Sequence, residues 1–320
     1  MKRRIAVILS VVFLFGTAAC SSEPSETGAK IDQPVSTGPA NAEKTTNTDD
    51  EASSAEDTKA SEDAKDNEPE TTDATIEEQV LVDEKDIVIT ATGLDLDGWL
   101  GPELKLKIEN NSDTDVTIQT RAASINGYMV ESMMSPDVAA GKKANDSVSF
   151  SNTDLEAAGI TNIADIEFFF HIFTTEGWEE FLDTDLVEVK TSLADNFEYT
   201  YDDSGQELYN EKDIRIVAKG ISDDDSWFGP GLILFIENSR DKAFTVQARD
   251  VSVNGYMIDA SLSEDVYPGK KSITALTFFS TDLEKNDIES FEEVELSFHV
   301  FDTDEWETIV DTEKYTLTFD

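Results

Sequence analysis

Residues 103–189 and 231–317 align without a gap, with 35 identities in 87 positions. Whatever fold the first stretch adopts, the second must adopt again. Asp86-Ile87-Val88-Ile89 meets Asp213-Ile214-Arg215-Ile216, Ile108-Glu109-Asn110 meets Ile236-Glu237-Asn238, and Asn126-Gly127-Tyr128-Met129 meets Asn254-Gly255-Tyr256-Met257. Gly141-Lys142-Lys143 meets Gly269-Lys270-Lys271, and His171 meets His299. Trp99 and Trp178 meet Trp227 and Trp306, which accounts for every histidine and tryptophan of the chain.

Each copy alternates with period two. Leu104, Leu106 and Ile108 alternate with Lys105, Lys107 and Glu109, as a half-buried antiparallel strand does. Ile166, Phe168, Phe170 and Ile172 share one face of another strand, opposite Glu167, Phe169 and His171. The two Asn-Gly pairs mark hairpins. A turn over 201–205 is expected to pair 197–201 with 207–209. Thr153 with Glu156, and Thr281 with Glu284, fit a helix capping box. Seven or eight short strands per copy predict an all-β chain of two tandem immunoglobulin-like antiparallel β-sandwiches. They are expected over 76–195 and 196–320.

The preceding sequence has a different character. Lys2, Arg3 and Arg4 precede an apolar run from Ile5 to Phe15, and Gly16, Thr17, Ala18 and Ala19 follow. That is the layout of a secretory signal peptide, expected over 1–19. The run is shorter than the ~20 residues of a membrane span, and no later run is longer, so no transmembrane helix is expected. The single cysteine, Cys20, sits at the cleavage point. This resembles a bacterial lipoprotein signal, which implies a lipidated Cys20 and attachment to the outer face of the cytoplasmic membrane. Thr17 stands where that signal usually has leucine, and plain secretion is the alternative. Residues 21–75 hold fifteen acidic and four basic residues, with Ile31 and Val35 the only large apolar ones. A disordered acidic tether is expected over 20–75, since so little apolar surface cannot offset chain entropy.

Sixty-nine acidic residues against 24 basic ones give a formal charge of −45. Nucleic-acid binding, which needs clustered Lys and Arg, is excluded as an expectation.

The segments IENNSDTDVTIQTRAASINGYMV and IENSRDKAFTVQARDVSVNGYMI resemble repeats in uncharacterised lipoproteins of Gram-positive bacteria. So do the G-K-K and T-D-L-E turns and the strands FFFHIFTTEGW and SFHVFDTDEW. The resemblance implies a signal peptide, an acidic stretch and tandem immunoglobulin-like domains. It brings no catalytic residue or cofactor.

The chain contains no phosphate-binding loop, no H-E-x-x-H and no G-x-S-x-G. A non-catalytic interaction or structural module is therefore the expected function, with an unidentified protein or cell-wall ligand as partner. A glycan-acting enzyme is the remote alternative. Candidate surface residues are Trp99, Trp227, Arg121, Arg249, His171 and His299. Tryptophan is usually buried, so the rings are expected to close the ends of the sandwich cores, with stacking on a glycan as the alternative. Arg121 and Arg249 are expected to pair with Glu167 and Glu295 across the sheet. Cofactors are expected to be none, with Ca²⁺ at Asp95 and Asp97, and at Asp223 and Asp225, as the alternative, because hard cations take carboxylate oxygens. Ile233 and Phe235 replace Lys105 and Lys107 on an outward face, which predicts that this face of the second copy is covered.

Overall fold

The structure, a computed structural model, describes residues 74–200, 203–222 and 230–319. The first copy contains β1 (Gln79–Glu84), β2 (Ile87–Asp95), β3 (Glu103–Asn110) and β4 (Val116–Ile125). Three two-residue strands follow: β5 (Tyr128–Met129), β6 (Ser132–Met133) and β7 (Asp137–Val138). The copy ends with β8 (Lys142–Phe150), α1 (Asn152–Ala157), β9 (Asp165–Thr174), β10 (Glu180–Asp183) and β11 (Val187–Lys190). The second copy repeats the order: β12 (Gln206–Glu211), β13 (Ile214–Ile221), β14 (Gly231–Asn238), β15 (Phe244–Val253), β16 (Tyr256–Met257), β17 (Ala260–Ser261), β18 (Ser263–Val266), β19 (Lys271–Phe278), α2 (Ser280–Lys285), β20 (Glu293–Asp302), β21 (Thr308–Asp311) and β22 (Tyr315–Thr318).

Within the first sandwich one sheet runs β1-β2-β3-β8-β6, and the facing sheet is built on β4 and β9 with β5, β7, β10 and β11. Leu104, Leu106, Ile108, Val148 and Phe150 meet Ile118, Ile166, Phe168, Phe170 and Ile172 between the sheets, and all are buried. The alternation thus places one apolar set per strand inside, as expected. The second sandwich is built alike from β12-β13-β14-β19 and the sheet around β15 and β20.

Asn126 (φ 51°) and Gly127 (φ 80°) form the two-residue turn joining β4 to β5, and Asn254 and Gly255 do the same. Both central positions of this turn need positive φ, which glycine adopts freely and asparagine tolerates. The Asn126 side chain also donates to the Asn162 carbonyl and accepts from the Ala164 amide, so it fixes the start of β9.

Three local expectations fail. β12 pairs with β13 through Lys212 and Asp213, not with residues 197–200, because two positive-φ residues there close a tighter hairpin; Tyr201 and Asp202 lie outside the described residues. The capping residue of α1 is Ser151, whose hydroxyl accepts from the Asp154 amide, while Thr153 lies inside the helix. In the second copy Phe279 stands at that position and supplies no side-chain cap. At the start of the folded part, Thr75 pairs with Ser192 and Ala74 is buried, two residues before the expected boundary.

The two sandwiches belong to one compact unit, Asn67–Asp320. A parallel contact between β5 and β19, Tyr128 with Lys271, makes one sheet continuous from the first sandwich into the second. The outward residues Val217, Phe235 and Ile273 pair side by side across β13, β14 and β19 and are buried in the cluster of the first sandwich. Their counterparts in the first copy are Thr90, Lys107 and Asn145, which are partly or fully exposed. The apolar face expected to be covered is covered by the chain's own first sandwich.

The expected signal peptide, Cys20, the expected tether apart from its last two residues, Asp223, Asp225 and Trp227 lie outside the described residues. Among the described residues no helix is long and apolar enough to cross a membrane.

Candidate functional site

The outer faces of β9 and β20 each carry a stack of three rings. His171 and Phe173 lie 5.2 Å apart between centroids, and Phe173 and Trp178 lie 5.3 Å apart at 16°. His299 and Phe301 lie 5.2 Å apart, and Phe301 and Trp306 5.4 Å apart at 17°. The phenylalanines are buried beneath the tryptophans, whereas Trp178 is 77% exposed and Trp306 75%. One indole face covers the phenylalanine and the other meets solvent.

Hairpin register brings these residues together. Asp183 of β10 stands opposite His171, and the His171 Nδ1 contacts its carboxylate. Asp311 stands opposite His299 in the same way, 2.6 Å from its Nδ1. Before β10 the backbone turns through Trp178, whose amide donates to the Thr174 carbonyl. Trp178 has φ 57° and Trp306 φ 58°. A left-handed backbone costs a bulky residue about 1–2 kcal/mol. Both copies therefore hold tryptophan where glycine or asparagine is less strained.

Trp99, Trp178 and Trp306 are thus not core residues, contrary to the burial expectation. Trp99 is 93% exposed on the loop between β2 and β3 and has no aromatic neighbour among the described residues. The loop carries too few apolar neighbours to cover a ring. The expected Arg–Glu pairs are not made either. Strand register sets Arg121 opposite Phe169, and a bulge at Ala122 (φ 52°) sets Ser124 opposite Glu167. The matching bulge at Asp250 leaves Arg249 on Gln247, while Glu295 takes Ser252 and Lys314.

Where the sandwiches meet there is a cleft of about 790 Å³ lined by both. Arg121, Glu131 and Asp154 enter it from the first, and Glu264, Tyr267 and Ile273 from the second. Arg249 does not line it. Burial pushes the Glu264 carboxyl up to about 7, opposed by the Ser272 and Thr274 hydroxyls and helped by Asp154 and Asp265. Ser272 Oγ donates to Glu264 at 2.6 Å.

Among the described residues, the only three metal-capable side chains that converge are Asp165, Glu167 and Glu188. The Lys270 ammonium already lies against Glu167 and supplies the positive charge there. Asp95 does not converge with Asp97 on a third carboxylate. It accepts the Asp97 amide and faces Lys105 Nζ at 3.4 Å.

No family model matches the chain, and no curated protein matches it. Among solved structures, the crystal structure of the YadV chaperone aligns with 73% of this chain and all of its own, at 9% identity and a TM-score of 0.22. The Salmonella enterica SafA pilin in complex with the SafB chaperone aligns with 68% of this chain and 89% of its own, at 11% identity and a TM-score of 0.19. At such scores the likeness carries no argument about what this chain does.

Proposed function

We propose that this chain is a non-catalytic binding module of the bacterial cell surface, anchored by lipid at Cys20 on the outer face of the cytoplasmic membrane. The two sandwiches present their tryptophan stacks to a protein or cell-wall ligand. The observation that carries this reading is the duplication of one exposed, locally strained tryptophan on the same hairpin of both copies. Covering the phenylalanine needs only one face of the ring, and backbone strain of this kind clusters at functional sites, so the open face is read as a contact surface. The anchoring part rests on the sequence layout around Cys20, which also resembles that of Gram-positive lipoproteins.

Two measurements test it. Cys20→Ser should move the protein from the membrane fraction into the medium, or stall its processing. Unchanged membrane partition removes the anchor. Separately, cross-linking on intact cells should yield adducts that vanish in a Trp178→Asn/Trp306→Asn double variant. Adducts indifferent to both substitutions remove the stacks as the contact surface.

A further inference from the structure

We infer that each stack seats the guanidinium of an arginine presented by a basic polypeptide, an assignment that rests on the stacks being the contact surface proposed above. The solvent-facing indole is flat, rigidly backed by phenylalanine, and open on one side. Its hairpin decides what kind of group can sit there. Between Thr174 and Asp183 the chain carries Glu176, Glu179, Glu180 and Asp183 and no Lys or Arg. Between Asp302 and Asp311 it carries Asp304, Glu305, Glu307 and Asp311, again with no basic residue. All eight carboxylate residues are exposed.

An anion is repelled from such a place. A cation is favoured twice, by the carboxylates and by the electron-rich face of tryptophan, the best of the aromatic partners for a cation. Among cationic side chains, arginine fits best. Its planar guanidinium stacks on an aromatic ring while its edge donates to a carboxylate, and a lysine ammonium cannot do both in one plane. The second stack adds a carboxylate, Asp302, aligned with Thr174, and an ammonium, Lys242, aligned with Thr114; Lys242 Nζ lies 3.2 Å from Glu305 and 3.6 Å from Asp302. The two added charges offset one another, so the sites are of similar strength, and a segment with two arginines gains by engaging both.

The full chain is titrated by calorimetry and tryptophan fluorescence at ~0.15 M salt, where exposed charges beyond about 8 Å are screened. The probes are a short arginine-rich peptide, its all-lysine counterpart and a neutral β-glucan oligosaccharide. The arginine peptide should bind most tightly and change the indole emission. Trp178→Asn and Trp306→Asn should each weaken it by about tenfold or more, with Trp178→Phe losing less. Both asparagine variants leave the net charge untouched, and relief of the left-handed backbone offsets the uncovering of the phenylalanine beneath, so their melting temperatures should change little. Arginine-peptide binding that ignores both substitutions reflects only the field of an acidic chain and overturns the proposal. Equal binding of the lysine peptide overturns the choice of arginine. Trp178-dependent binding of the oligosaccharide without the peptide overturns the ligand class while leaving the stacks as the contact surface. Cell-surface adducts that persist in the Trp178→Asn/Trp306→Asn double variant fail the earlier reading instead.

Discussion

Lys270 of the second sandwich ends against Glu167 of the first, with each side chain only 16% exposed. The ammonium also lies within the field of Asp165 and Glu188, the other two carboxylates of the cluster. Burial holds the Asp165 pKa above its ordinary value, the Glu167 charge adds to the rise, and Lys270 opposes it.

Lys270→Met should therefore destabilise the chain by about 2 kcal/mol at neutral pH, since it strands like charges in a poorly solvated place. With the opposing charge gone, the Asp165 pKa rises further. A raised carboxyl pKa gives stability that is complete at low pH and lost as pH climbs through the native value. The deficit should accordingly shrink in melts near pH 4, and adding Glu167→Gln should recover part of it. A deficit equal at pH 4 and pH 8 contradicts this account.

Phe235 stands where the first copy has Lys107. Restoring lysine, Phe235→Lys, should remove a fully buried ring from the junction and cost about 3–5 kcal/mol, by analogy with Phe→Ala in cores. The two sandwiches should then unfold in separate steps. Lys107→Ala, on an exposed position, should change stability by less than about 0.5 kcal/mol. A single unchanged transition in the first variant rules out the junction as a shared core.

Glu264 makes the junction sensitive to pH. Its native value of about 7 lies above its ordinary 4.5, so between the two the folded chain keeps a proton that the unfolded chain has released. Stability falls with rising pH across that window, by an amount on the order of 3 kcal/mol at most. Glu264→Gln should flatten the dependence between pH 4.5 and 7 and raise stability at pH 8. Denaturant titrations at three pH values suffice, and an unchanged slope across the window excludes Glu264 as its source.

Asn110 Nδ2 donates to the Thr114 and Val138 carbonyls, both at 2.8 Å, and Asn238 repeats this with Lys242 at 3.0 Å and Val266 at 2.6 Å. Both side chains are buried. Alanine at either position should cost about 2–3 kcal/mol, and less at Asn110, because Ser112 Oγ still reaches the Thr114 carbonyl at 3.2 Å whereas Arg240 stands at the matching place in the second copy. Effects below about 0.5 kcal/mol would show that water replaces the amide.

What the sequence revealed followed from periodicity and duplication. The inward set Leu104, Leu106 and Ile108, the Asn-Gly turns and the covered face at Phe235 could each be read from residue type at a known spacing. Side-chain direction at turns could not. The exposure of Trp178 depends on a left-handed φ, which a tryptophan does not signal. Residue type alone pointed to burial. Strand register sets Arg121 opposite Phe169, two positions from Glu167, and the bulge at Ala122, a residue with no special preference for positive φ, moves Ser124 opposite Glu167. One signal was present and missed. His171 with Asp183, and His299 with Asp311, keep the same spacing in both copies, and a short hairpin sets such a pair face to face.

The apolar strip that joins the sandwiches runs one way only, from the outer face of β9 onto the outer face of β14. A third copy could join only at faces that lack the strip. On one side the chain offers Thr90, Lys105 and Lys107, and on the other Ser297 stands where the first copy has Phe169, whose ring lies 6.1 Å from that of Tyr267 across the junction. Head-to-tail contacts of this kind otherwise extend without limit into filaments, and repeat proteins stop them with polar end units. Neither outward face of this pair carries a matching apolar strip, so the contact that joins the two sandwiches does not template a further one.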